Sequence, residues 1–183
     1  MLLQNKKAMN YKDLFFGVCI FVLGFAILKE DEDIPKQKDE LPSDDKVNIS
    51  SPPCLRMYDA INKYADMYNI PKVYAFGIAY KETRYNGPFD WKYRHAQTSY
   101  AGAIGPMQIM PSTADLMWRD SKVSRTKLMN DIDFNVHTSM KLLRKLHDRY
   151  RDWKTVFGCY NTGRPMINQY AIDVFNHKIK WNI

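Results

Sequence analysis

The segment Ala79–Pro111, AYKETRYNGPFDWKYRHAQTSYAGAIGPMQIMP, decides how the chain is read. Its first residues close an apolar helical pattern that carries one carboxylate, Glu82, near its end. An irregular stretch rich in aromatic and polar side chains follows, then a turn built on Gly102 and Gly105, then Met107-Gln108-Ile109-Met110-Pro111. A carboxyl on a mostly apolar surface loses hydration when charged, so its pKa rises and it can donate a proton near neutrality. Glycines just beyond it let the backbone approach a bulky ligand closely. Cleavage of a glycosidic bond needs such an acid, because the leaving oxygen must be protonated.

Upstream of this segment, Leu55, Tyr58, Ile61, Tyr64, Ala65 and Tyr68 recur at three- and four-residue spacing and predict a helix. Asn69 and Pro71 mark a stop and a restart, and Val73, Phe76, Gly77 and Tyr80 predict the buried face of a second helix reaching about Thr83. Glu82 lies off the centre of that face, where core meets cleft. From Arg84 to Ala101 there is no helical period. A long irregular loop inside a compact domain is usually functional, and a short hairpin there is the one β element expected.

Downstream, Ser112 and Thr113 open a short helix carrying Ala114, Met117 and Trp118. Asp131 caps a longer one with Ile132, Val136, Met140, Leu143 and Leu146 on its face. Asp152 begins another with Val156, Phe157 and Tyr160, which stops at Asn161-Thr162-Gly163. Ile167, Tyr170, Ala171 and Val174 predict a last helix. The fold class is all-α.

The 183 residues divide into three parts. Residues 1–28 contain the uncharged run Leu14–Leu28, preceded by Lys6, Lys7 and Lys12. It reads first as a membrane anchor spanning 11–28, with a cleaved signal peptide and a buried core helix as the alternatives. With either of the first two, the rest of the chain is exported. Residues 29–53 combine four Lys, eight acids and four Pro and read as a tether. Residues 54–183 form the domain. The charge of +7 is unevenly spread, at +2 over 1–28, −4 over 29–50 and +9 beyond. A basic domain attracts polyanions, among them nucleic acid, anionic lipid and the carboxylate-rich bacterial wall, although an ordinary lysine-rich surface gives the same balance. The diffuse charge and the lack of a recognition motif argue against nucleic acid.

Cys19 lies in the apolar run, which leaves Cys54 and Cys159 as the only intradomain pair. Export would permit a disulfide, but Cys159 sits in a helical pattern where a small buried residue fits equally well, and two free thiols are expected. His95, His137, His147 and His177 are scattered, so no zinc site is expected and no cofactor is implied.

Three blocks in order, Glu82-Thr83, Gly102 to Ala114 (GAIGPMQIMPSTA) and Tyr160-Asn161-Thr162-Gly163, resemble the soluble lytic transglycosylase (SLT) family of the lysozyme-like superfamily. The resemblance covers residues 55–176. It implies a lysozyme-like α fold and cleavage of the β-1,4 bond between N-acetylmuramic acid and N-acetylglucosamine in peptidoglycan, with a 1,6-anhydro product. It implies Glu82 as the catalytic acid and base. It also implies Gln108, Met110, Tyr160, Asn161 and Tyr170 as substrate-binding residues, and peptidoglycan strands as the partner. Departures are Thr83 for Ser, Pro106 for Leu, Ser139 for Gly, and Met166 where a Glu often precedes Tyr170 by four residues. The gap from Glu82 to Gly102 is about eight residues longer than is common, which implies a different loop over one end of the cleft.

Other readings stand beside these. A muramidase using water would need a second carboxylate roughly 5–9.5 Å away, for which Asp90 is the loop candidate. A non-catalytic glycan-binding or assembly protein would keep the cleft alone, and secretion machinery or a phage virion are candidate assemblies. The methionines fill a core as readily as they line a site, and Tyr160 could be a core aromatic with its hydroxyl satisfied elsewhere. Trp91, Tyr93 and Tyr100 either stack on sugar rings or pin the loop. Lys92, Arg94 and His95 either meet wall carboxylates or keep that loop soluble.

Overall fold

A computed structural model describes residues 51–119 and 122–181. The apolar segment at 11–28 and nearly all of the tether lie outside the described residues, and no helix among those described is long and apolar enough to cross a membrane. The described chain is all-α, with seven helices and two isolated β-bridges.

Helix α1 (Pro53–Met67) starts on a proline, whose missing N–H is no loss in a first turn. It buries Met57, Ala60, Ile61, Tyr64 and Ala65 as one stripe. Helix α2 (Lys72–Thr83) is more central than its pattern predicts. Ala75 to Ala79 are all buried, whereas Val73 and Tyr80, expected on the inner face, are only half-buried. It packs between α1 and the last helix, α7 (Gln169–Phe175).

After α3 (Pro111–Met117), the six-residue α4 (Arg125–Asn130) is a helix the apolar period does not show, since it buries only Leu128. Ser124 caps it by accepting from the Lys127 amide at 3.1 Å. Helix α5 (Ile132–Tyr150) is capped by Asp131 at 3.0 Å and buries all five residues its pattern nominates. Helix α6 (Trp153–Thr162) is capped by Asp152 and ends on Gly163 in the left-handed region, as expected. Ile167, assigned from sequence to the last helix, lies before its Asn168 cap and is exposed. Cys54 and Cys159 are buried free thiols.

The expected hairpin within 84–101 does not form. Pairing is confined to the bridges Thr98–Ile104 and Ile104–Ile109, which fold the glycine-rich block back on itself. Side chains hold that block down. Asn135, fully buried in the first turn of α5, donates to the carbonyls of Ile104 and Leu128, both at 2.9 Å. Its Oδ1 accepts from the Met107 amide at 2.9 Å. Gly105, at φ +78°, passes so close that a Cβ would meet the Leu128 carbonyl at 2.3 Å and the Asn135 amide at 2.5 Å.

Asn135→Ala removes the side-chain partner of the Leu128 carbonyl and of the Met107 amide, and one of two donors to the Ile104 carbonyl, which keeps the Ile109 amide at 3.0 Å; together these cost about 3 kcal/mol. We expect a loss of about 3 kcal/mol in urea unfolding at unchanged m-value. An unaltered midpoint would show that these bonds carry no share of the stability.

Candidate active site

The last turn of α2 points three consecutive side chains in three directions. Thr83 faces inward, donating to the Pro106 carbonyl at 2.8 Å, with the Tyr93 hydroxyl 2.9 Å from Thr83 Oγ1. This bond fastens the glycine-rich block to the helix end beside Glu82, and Tyr93 fastens the long loop to the same point. Lys81 faces outward and pairs with Asp173 of α7 at 2.7 Å. Glu82 lies between them and accepts a hydrogen bond from the Tyr170 hydroxyl at 2.5 Å. Tyr170 and Asp173 are one helical turn apart, so one face of α7 meets both residues.

Glu82 keeps part of its surface accessible, as its expected place at the rim requires. Its surroundings are nevertheless dense. Burial pushes its carboxyl up to about 7, while the Tyr170 hydrogen bond and then the Lys81 charge pull in the opposite direction. Among the described residues, no carboxylate is among the groups that shift it. The carboxyl of Asp173 is held below the usual range, first by its hydrogen bond to Lys81.

The other residues nominated from sequence are tied to this point without all touching it. Gln108 has a left-handed backbone (φ 49°), and its side-chain amide donates to the Gly105 carbonyl at 2.8 Å and the Gln97 carbonyl at 3.2 Å, bracing the turn. Met110 is half-buried at the cap of α3, whereas Met107 is wholly buried. Tyr160 is buried, and its hydroxyl donates to the Met107 carbonyl at 2.8 Å and lies 2.9 Å from Ser139 Oγ. Asn161 Oδ1 accepts from Asn168 Nδ2 at 3.0 Å, joining α6 to the cap of the helix that bears Tyr170.

The long loop divides. Tyr93 is buried and pins it, helped by Tyr85, whose hydroxyl reaches the Cys54 carbonyl at 2.8 Å. Trp91 and Tyr100 are exposed, as is Phe89. Asp90 sits in the turn from Gly87 to Tyr93, its carbonyl accepting from the Tyr93 amide at 2.9 Å. Asn135, Lys81 and Asp173 were not singled out from sequence. The three-residue interval between Tyr170 and Asp173 was the available signal for the last of these.

The family model of the transglycosylase SLT domain matches residues 59–183. The chain belongs to the transglycosylase SLT domain family. No curated protein matches it. Among solved structures it is similar to an inactive mutant of the lytic transglycosylase Slt from Pseudomonas aeruginosa, with 21% identity and a TM-score of 0.46 over 58% of this chain. It is also similar to the 70-kDa soluble lytic transglycosylase from Escherichia coli, with 24% identity and a TM-score of 0.49 over 64% of this chain. A complex of the 70-kDa enzyme with bulgecin A matches with the same figures. The SLT domain described here spans 16% of the first of those chains and 18% of the others.

Because the Tyr170 hydrogen bond lowers the Glu82 pKa, Tyr170→Phe should raise it above 7, by about one unit, in a carbon-13 carboxyl titration. A downward shift would contradict the arrangement. Glu82 binds its proton more tightly folded than unfolded, so its ionisation costs stability as pH rises from about 4.5 to about 7. Glu82→Gln should therefore gain about 3 kcal/mol relative to wild type between pH 4 and pH 8. Thermal unfolding at the two pH values measures the difference.

Proposed function

We propose that this SLT domain is a peptidoglycan lytic transglycosylase in which Glu82 acts first as acid and then as base. The observation that carries the reading is a single dehydrated carboxyl at the edge of the glycine-rich block, balanced near pH 7 with a phenol as its partner. Protonated Glu82 gives its proton to the oxygen between N-acetylmuramic acid and N-acetylglucosamine. The bond from that oxygen to the muramyl anomeric carbon breaks with its electron pair on the oxygen. The Glu82 carboxylate then takes the proton of the muramyl 6-hydroxyl. That oxygen bonds to the anomeric carbon, closing the 1,6-anhydro ring and restoring the protonated acid.

A pKa near the working pH suits a group that must give and then take a proton in one cycle. The Tyr170 hydrogen bond and the Lys81 charge favour the carboxylate that exists between the two steps. Gln108 and Tyr160 shape the sugar groove by fixing the backbone of the block, and Met110 and Asn161, both half-buried, line it. The basic domain, exported behind the apolar segment at 11–28, would work on strands rich in carboxylates.

Hydrolysis by water is the second reading. It requires a base carboxylate near the reacting carbon, and among the described residues no acid is an influence on Glu82, which favours the solitary-acid route. A purely glycan-binding role gives no reason to keep a carboxyl under such a desolvation cost.

Glu82→Gln should lower release of soluble muropeptides by about a thousandfold while glycan binding persists. Mass spectrometry of the wild-type products should show anhydro ends, one water lighter than hydrolytic ends. Hydrated ends would establish the muramidase instead, and undiminished release by the variant would remove Glu82 from the chemistry.

A further inference from the structure

The cation beside Glu82 is itself held from the other side. Lys81 Nζ donates to Asp173 Oδ2 at 2.7 Å, and Gln169 Nε2 donates to the second oxygen, Oδ1, also at 2.7 Å. Gln169 and Asp173 stand one turn apart on α7, and Tyr170 lies between them in sequence. The Tyr170 hydroxyl reaches Glu82 Oε1 at 2.5 Å, and the Lys81 ammonium stands over its ring, 5.8 Å from the centre. One phenol thus touches the acid with its hydroxyl and the ion pair with its face.

An ion pair this accessible adds little to stability, since Lys81 and Asp173 keep 28% and 38% of their side-chain surface. Its field is another matter. Glu82 carries a desolvation cost, and a cation nearby shifts the balance between its two forms. A lone ammonium would act on it as a full charge. An ammonium with a carboxylate at 2.7 Å acts as a dipole, whose potential falls off more steeply with distance. The Asp173 carboxyl is held below the usual range, first by the hydrogen bond from Lys81, so it stays ionised while Glu82 titrates near 7. From the neighbouring elements, Arg84 at the end of α2 lies over the Tyr80 ring at 5.4 Å, and Lys178 and Lys180 line the open pocket that Asp173 borders. His177 borders it too, its pKa lowered first by burial. None of these groups can offset Lys81; Asp173 does.

We propose that Asp173 is a positioning residue for the chemistry assigned above to Glu82, a reading on which this inference rests. It holds the Lys81 ammonium over Tyr170 and offsets its charge, so that Glu82 keeps a proton to donate at neutral pH. Without Asp173, the uncovered Lys81 charge favours the carboxylate, and the acid is lost at a lower pH.

The test uses the full chain labelled with carbon-13 at the glutamate carboxyls. Glu30, Glu32 and Glu40 all precede the domain, and Glu82→Gln assigns the remaining signal. Asp173→Asn keeps an acceptor for Gln169 while removing the charge, and it should lower the Glu82 midpoint from about 7 by about half a unit. Asp173→Glu should return it to the wild-type position. Lys81→Met should raise the midpoint, and adding Asp173→Asn to that variant should move it no further. Asp66→Asn, which removes the charge partner of Lys72 at 2.9 Å, should leave Glu82 unmoved. Solubilisation of peptidoglycan by Asp173→Asn should fall about threefold at pH 8 and stay within about a third of wild type at pH 6, following the protonated fraction of Glu82.

A mere strut between α2 and α7 would instead lower activity equally at both pH values and leave the midpoint in place. That result overturns the inference, as does an absent or upward shift in Asp173→Asn, or the same shift in the Lys81→Met background. The titration involves no turnover, so it decides the role of Asp173 even where Glu82→Gln retains wall activity and the catalytic reading fails.

Discussion

Three buried side chains, Thr83, Asn135 and Tyr160, hold the backbone from Ile104 to Met107 where a sheet would ordinarily do so. Thr83 takes the carbonyl of Pro106, Tyr160 that of Met107, and Asn135 the carbonyl of Ile104 with the amide of Met107. A glycine-bearing turn has little side-chain packing to fix it, and its backbone groups would be costly to bury unpaired. The side-chain bonds solve both problems and come from three different helices. The block therefore follows α2, α5 and α6 together and stays registered with Glu82. The proline at 106 is compatible with this scheme, since the bond at that position uses its carbonyl and no N–H.

The electrostatics of Glu82 follow from the same packing. The block and α7 close around the end of α2, and the resulting loss of hydration is the largest influence on the carboxyl. Tyr170 and Lys81 return part of that cost to the charged form. Without them the acid would be too weak to give up its proton readily; with a stronger cation in direct contact it would be ionised and unable to donate. Lys81 is kept at one remove, because Asp173 holds its ammonium at 2.7 Å.

Much of this was legible in the chain. The three- and four-residue spacing placed α1 and α5, and Asp131, Asp152 and Gly163 marked helix ends through local chemistry that needs no tertiary partner. Glu82 stood out because its neighbours in sequence carry the specific block. Helix α4 was invisible, having one buried residue, and the inner face of α2 was misjudged because a helix buried nearly all round has no face to reveal. Asn135 was equally hidden. A polar residue in an amphipathic pattern reads as solvent-facing until the fold brings Ile104, Met107 and Leu128 to it. Aromatic residues of the long loop could not be sorted by type: Tyr93 is inside and Tyr100 outside, depending on whether Thr83 is within reach.

Helix α7 shows how the site depends on residues far from it in the chain. Seven residues are too few for a helix to hold itself, so its position must come from contacts. Asn168 caps it through the Ala171 amide at 2.9 Å and is itself held by Asn161 at the end of α6. Ala171 and Val174 are wholly buried, and Asp173 pairs with Lys81 on α2. These restraints lie before, within and across from the helix. The orientation of the Tyr170 hydroxyl against Glu82 is their joint product. A change at Asn161 therefore reaches Glu82 through the cap that aims Tyr170.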